Sequence, residues 1–357
     1  MTAPFRLFGA QLSPYSVKVR SYLRFKGLEF EWLERTNARV EEFQRYAKLP
    51  LAPVLVDANE NAVQDSTPMI EALEKEFAEP SAIPQDAALA FLSALLEDYA
   101  DEWLNKAMFH YRWAYPENQD SAAKRMVEML YEGTPAPDGA EDAVKTRMSG
   151  RLHHVGSSPE TAPLIEGSFT RVVSLLENTL GGKKYLFGDR PCLADFGLAG
   201  QLAQLLSDPS PGAILRQTAP NLVAWIGRME NPKVEGDFTS FTLLRGALVD
   251  LLREEIAAAY LAWMSANARA VQNDASGVSV EIAGVDFVQK PQRYAAKAFT
   301  ELKRKRAVID EPELIALLEE TGCDAYLASP ATIASPEMAP DADAEVDGDE
   351  EGDGDED

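Results

Sequence analysis

The sequence predicts an α/β unit over residues 1–79 followed by an all-helical domain over 85–235. Three observations carry that prediction. Before Phe77, short runs alternate apolar and polar residues as half-buried strands do, and helical patterns with their own caps separate them. Glu79-Pro80-Ser81-Ala82-Ile83-Pro84 then makes a proline-punctuated linker. Beyond it the apolar residues recur at helical spacing, with no strand pattern until about residue 275.

Phe5 to Gly9 alternates as a strand and ends on glycine. Ser13 is a good N-cap, Pro14 suits the first helical position, Val17, Tyr22 and Phe25 follow at helical spacing, and Gly27 closes the helix. The free N–H groups and positive dipole end of that helix can hold an anion, with Ser13 the nearest side chain. Glu29 to Leu33 reads as a second strand and Val40 to Tyr46 as a short helix. Pro53 stands directly before the apolar run Val54-Leu55-Val56, at a strand start or on an edge. Gln64-Asp65-Ser66-Thr67-Pro68 ends a further strand and opens a helix, with Ser66 or Thr67 as its cap.

In the helical part, Leu89, Leu92, Leu95, Leu96, Tyr99, Trp103 and Leu104 form one stripe that runs on into the aromatic stretch Trp103 to Trp113. Gly133 to Ser158 is a polar insertion with a short helix around Ala143 to Met148, and its adjacent His153 and His154 read as surface residues, not metal ligands. A helix ends at Leu180 before Gly181-Gly182. Cys192 and Asp195 have the spacing of a capping box that opens the next helix. An extension over 236–330 follows, with a long amphipathic helix from Leu243 to Ala270, a hairpin turning at Ala283-Gly284, and helices over Pro291 to Lys305 and Glu311 to Thr321. It is expected to pack on the helical domain as an appended element.

The order strand, Ser13-Pro14-Tyr15-Ser16 with its helix, strand, helix, Ala52-Pro53-Val54-Leu55, strand, Asp65-Ser66 with its helix resembles the thioredoxin-like half of the glutathione S-transferase superfamily. The Ser-Pro-Tyr-Ser motif is most similar to the zeta and omega types and gives the chain a bacterial-type cast. The stretch from Tyr185 to Gly200, with the Cys192 and Asp195 box, resembles the helix that opens with a capping box in the family's all-helical C-terminal domain. The resemblance covers roughly residues 4 to 235 and implies a catalytic Ser13 facing the thiol of glutathione. It also implies a cis-proline at Pro53, a backbone contact at Ala52, and Asp65 with Ser66 at the γ-glutamyl group. Tyr15 and Ser16 are alternatives to Ser13 in the same loop. Phe109, His110, Tyr111, Arg112 and Trp113 are expected to line the cleft for a small apolar electrophile. One departure is Leu51, where the family often has a Lys for the glycyl carboxylate.

The function so implied is a glutathione transferase with glutathione as co-substrate and no metal; the alternative is a non-catalytic scaffold or interaction protein on the same fold. A homodimer is expected, with the Leu89 to Trp103 stripe long enough to serve both core and interface. The 34 basic and 58 acidic residues argue against nucleic acid and anionic membrane surfaces as partners. Twelve of those acids lie in 331–357, a stretch without Lys or Arg that is expected to be disordered, as a solvated tail or as a strip for a basic partner. With no apolar run near the roughly 18 residues of a membrane span and no apolar signal core, a cytoplasmic protein is expected. Cys192 and Cys323 are expected to stay reduced.

Overall fold

The computed structural model describes residues 4–328, so the calls on the acidic tail lie outside the described residues. The N-terminal unit comprises β1 (Phe5–Gly9), α1 (Pro14–Lys26), β2 (Phe30–Glu34), α2 (Val40–Gln44), β3 (Val54–Val56), β4 (Ala62–Gln64) and α3 (Ser66–Glu76). Its sheet has the order β2-β1-β3-β4, with β1 parallel to β2 and antiparallel to β3, and β3 antiparallel to β4. This is a thioredoxin-like arrangement. Alternation along β1 sends Leu7 into the main core with α1 and α3, and Phe8 to the other face against Leu33, Phe43, Val54 and Val56.

The helical domain runs through α4 (Ala87–Tyr99), α5 (Asn105–Ala114), α6 (Pro116–Leu130), α7 (Ala140–Ser149), α8 (Ala162–Leu180), α9 (Leu193–Ser207), α10 (Pro209–Thr218) and α11 (Pro220–Arg228). Between α4 and α5 the chain stays helical through a wider turn, Ala100–Leu104, with i→i+5 bonding. The Cys192 and Asp195 box forms: the Asp195 carboxylate accepts the Cys192 N–H at 2.9 Å, and also the Leu186 N–H and the Trp225 indole. Close contact between α9 and α1 depends on Gly200, where a Cβ would stand 2.7 Å from the Pro14 carbonyl oxygen.

After α11 come α12 (Phe241–Leu251), a second wide turn (Leu252–Leu261), α13 (Ala262–Gln272), β5 (Val278–Ile282), β6 (Val285–Gln289), α14 (Arg293–Ala307), α15 (Pro312–Thr321) and α16 (Asp324–Leu327). The hairpin turns at Ala283 and Gly284, both at positive φ. This segment is not an appendage. Its apolar residues belong to the same core as Leu7 and Leu96. Glu255, fully buried, accepts hydrogen bonds from the Tyr99 hydroxyl and the Trp103 indole, both at 3.1 Å, and from Ser168, and pairs with Arg171 at 3.0 Å. The Tyr260 hydroxyl donates to Asp98. The Lys106 ammonium lies 3.8 Å from the centre of the Trp263 ring and donates to Gln289.

Those contacts overturn one expectation about assembly. From Leu89 to Trp103 every residue of the apolar stripe is buried within a single chain, because α9 and the C-terminal segment cover it. The stripe is therefore not free to form a dimer interface.

Candidate glutathione site

The first helix carries the site. A Ser13 N–H to Ala10 carbonyl bond of 2.9 Å turns the loop after β1, and Ser13 in extended geometry caps α1 by accepting the Ser16 N–H at 3.3 Å. Its oxygen accepts that N–H, and its hydroxyl hydrogen is left to donate from a half-buried position. The two alternatives are engaged elsewhere. Ser16 is fully buried and accepts the Ala10 N–H at 3.2 Å. The Tyr15 hydroxyl donates to the Asp101 carbonyl at 3.0 Å and accepts from Asn105, and burial holds the phenol far above its ordinary pKa. From the helical domain, the Arg112 guanidinium and the Gln204 amide donate to the carbonyls of Leu12 and Gln11, both at 3.0 Å, and steady the loop.

The peptide bond between Ala52 and Pro53 is cis. The loop before it is held by Gln64, which accepts from the N–H groups of Lys48 and Leu49 and donates to the carbonyls of Leu49 and Leu51. Leu51 is 55% exposed and makes no cationic contact there. Helix α3 starts one residue earlier than expected: Asp65, at φ 86°, is its N-cap and Ser66 its first residue. Burial raises the Asp65 carboxyl, and its Oδ2 accepts the Tyr294 hydroxyl at 2.7 Å.

Ser66 lies beneath that carboxylate and is buried. Its oxygen accepts from the Lys18 ammonium at 3.3 Å. Lys18, itself 1% exposed, also meets Thr67, Glu97 and Asp101, the last at 2.6 Å. Desolvation works against the ammonium, but the charges of Asp101 and Glu97 outweigh it and hold Lys18 above its ordinary pKa. One helix thus reaches both ends of the candidate site, with Ser13 at its cap and Lys18 under Ser66. Sequence reasoning missed Lys18, Glu97, Asp101 and Tyr294. The only hint was a lysine on the apolar side of an otherwise well-patterned helix.

The expected electrophile cleft needs correcting. Trp113 and Arg112 point into the core, where Arg112 pairs with the fully buried Asp208 at 2.8 Å. His110 is buried between Ser157 and Glu166, and desolvation lowers its pKa. Tyr111 packs on Phe169, and only Phe109 stays half-buried. Open space lies instead beside the loop before Ser13. A recess of about 350 Å³ is lined by Gln11, Trp32, Glu34, Arg39, Met129 and Glu132, and a cleft of about 530 Å³ runs between α1 and α9. Among the described residues no group of three or more His, Cys, Asp or Glu could hold a metal ion, and no helix is long and apolar enough to cross a membrane.

Two family models match the chain: the glutathione S-transferase N-terminal domain over residues 7–81 and the glutathione S-transferase C-terminal domain over 169–229. Those two regions are the domain pair of the glutathione S-transferase superfamily. Among curated relatives, the isoprene-epoxide–glutathione S-transferase of Rhodococcus sp. (strain AD45) is 27% identical over 228 residues, which cover 61% of this chain and 91% of that protein. Similar solved structures include a glutathione S-transferase from Methylobacterium radiotolerans in complex with glutathione sulfonate, 23% identical over 67% of this chain and 99% of that one, with a TM-score of 0.43. Another is a beta-etherase from Sphingobium sp. strain SYK-6, 21% identical over 64% of this chain and 95% of that one, with a TM-score of 0.46. Both transferase domain models end before the segment that begins with α12.

Proposed function

We propose that this glutathione transferase-like protein binds glutathione and activates its thiolate for attack on a small apolar electrophile. A free thiol ionises near pH about 8.5 and only the thiolate attacks, so the catalyst must favour the ionised form. A hydroxyl donating to sulfur at a helix N-terminus does this by hydrogen bond and dipole together. The observation that carries the reading is the Ser13 cap, whose oxygen already accepts a backbone N–H while its hydrogen remains available. In this reading Ala52 meets the cysteinyl backbone of glutathione beside Pro53, and Asp65 and Ser66 receive its γ-glutamyl end. Of the two alternatives, the Tyr15 hydroxyl is spent on the Asp101 carbonyl and Ser16 is fully buried.

The electrophile would enter the recess beside Gln11, where Trp32 and Met129 offer apolar surface. Because the Rhodococcus relative is by name an isoprene-epoxide transferase, a small apolar epoxide is the first electrophile to try. We divide the chain at 1–79, 85–235 and 236–330, place it in the cytoplasm, and expect any homodimer to use a surface other than the Leu89 to Trp103 stripe. The reading needs no metal. The test is retention on immobilised glutathione, followed by thiolate absorbance of the bound thiol against pH. Retention with a thiol pKa below that of free glutathione is the expected result. Neither retention nor depression would leave a non-catalytic scaffold in its place.

A further inference from the structure

The parallel strands β1 and β2 end side by side, Gly9 in register with Glu34, and the loop to Ser13 leaves from that point. Trp32 and Glu34, two apart on β2, share one face of the strand. Four residues there close a ring of contacts. The Glu34 carboxylate accepts the Gln11 N–H on Oε1 and the Trp32 indole N–H on Oε2, both at 2.6 Å. The Gln11 amide oxygen accepts from the Arg20 guanidinium at 2.6 Å, and that guanidinium lies 4.5 Å from the centre of the Trp32 ring. Gly9 makes room for the indole, since a Cβ there would stand 2.4 Å from it.

The ring ties an aromatic wall to the loop that carries Ser13. Gln11, Trp32 and Glu34 all line the recess beside that loop, with Met129 of α6 as its other apolar surface. The remaining lining is charged: Glu128 of α6, Glu132 just past its end, and Arg39, which Glu132 meets at 3.3 Å. Three carboxylates therefore face one guanidinium among the lining residues. A ligand with a carboxylate of its own meets like charge there, and juxtaposed like charges select against the wrong partner. The indole is fixed at its N–H edge and by the guanidinium, so it presents a π surface of set orientation. Such a surface favours another aromatic ring, offset or edge-on, beyond the area that an alkyl chain of equal size would bury.

We propose that Trp32 is the specificity-determining residue for the electrophile and Glu34 the positioning residue that fixes the indole to the Ser13 loop, so that the substrate is an uncharged electrophile carrying an aryl group. This rests on the reading that the thiolate of glutathione forms at Ser13 and that the electrophile enters the recess. With an aryl epoxide, the sulfur bonds to the epoxide carbon beside the aryl group and the bond from that carbon to oxygen breaks. Its electron pair stays on oxygen, which takes one proton from water, equal to the one the thiol released.

The experiment measures kcat and KM of the full chain with styrene oxide, with 1,2-epoxyhexane as an alkyl epoxide, and with the 4-carboxylate of styrene oxide, all at saturating glutathione. Wild type should prefer styrene oxide over both others in kcat/KM. Trp32→Leu should lower the preference over epoxyhexane about fivefold, the scale of one aromatic pair, with the loss in the KM for styrene oxide and not in the KM for glutathione. Trp32→Phe should restore most of it. Glu34→Gln has one acceptor oxygen where two are used, and should lower the same preference about threefold while narrowing the gap to the carboxylate. A merely structural role would weaken all three epoxides and glutathione together, and would overturn the proposal. So would a preference that survives Trp32→Leu, or a wild type that is retained on glutathione yet treats styrene oxide and epoxyhexane alike or conjugates none of the three; these outcomes leave glutathione binding standing. A chain that neither binds glutathione nor conjugates any epoxide overturns the glutathione reading and this proposal with it. Retention of both Trp32 variants on immobilised glutathione checks that they are folded.

Discussion

The helix caps at Ser13 and Asp65 are the same device built in two ways. Each follows a strand and opens a helix that the proposed site uses. At Ser13 all the parts are neighbours in sequence: the loop turns on Ala10, the hydroxyl caps on Ser16, and Pro14 occupies the first helical position. At Asp65 the backbone sits at positive φ, the carboxylate is held by Tyr294, and the serine beneath it is held by Lys18. A local cap can be changed with local consequences. A cap assembled from three regions of the chain ties its chemistry to the packing of all three, and the comparison can be tested at each level.

The largest effect should come from the buried carboxylate that joins the C-terminal segment to the helical domain. Glu255→Ala leaves the Tyr99, Trp103 and Ser168 donors and Arg171 without their partner, and should cost about 3–5 kcal/mol in denaturant unfolding. A loss confined to the last helices, with the rest of the chain unfolding as before, would mean that the segment is an appendage after all. Next comes Ser13→Ala. Loss of one donor to the developing thiolate should slow turnover on the order of a hundredfold, about 3 kcal/mol, while glutathione affinity stays nearly constant. Should turnover persist, Tyr15 and then Ser16 are the residues to change.

A smaller effect is expected in the pH dependence of stability. Burial pushes Asp98 up to about 7, with the Tyr260 hydroxyl pulling the other way. A carboxyl whose folded pKa is raised keeps a proton in the folded state that the unfolded chain has lost. Its share of stability is therefore complete below the unfolded value and declines as pH rises from about 4 to 7. Asp98→Asn should flatten the thermal midpoint over that interval; a slope as steep as in wild type would place the titration elsewhere. The smallest effect is a gain. Leu51→Lys puts a cation where the family often has one and, at an exposed position, should tighten glutathione only about two- to fivefold. No change would mean that the glycyl carboxylate lies away from residue 51.

The elements that were legible in the sequence are those whose causes are short-range. Ser13, Gly27 and the Cys192 and Asp195 box announce helix ends because a cap satisfies backbone groups within a few residues of itself. The hairpin at Ala283-Gly284 and the alternation in β1 were readable for the same reason. The start of α3 was misread by one residue, since Asp65 takes a positive φ that its flanking sequence does not demand. Arg112 and Trp113 were misplaced because a helix that is aromatic all round does not say which side faces a cleft, and α5 is enclosed by α8, α9 and the Leu152–Val155 turn. What the sequence determined by itself was the order of elements, the thioredoxin-like and helical halves, and the cap that orients Ser13. Tertiary structure alone decided which charges meet. Lys18 with Asp101, Glu255 with Tyr99, and Tyr294 with Asp65 pair across 83, 156 and 229 residues. No periodicity encodes such distances; the pairings arise only when the chain folds and brings these polar groups together.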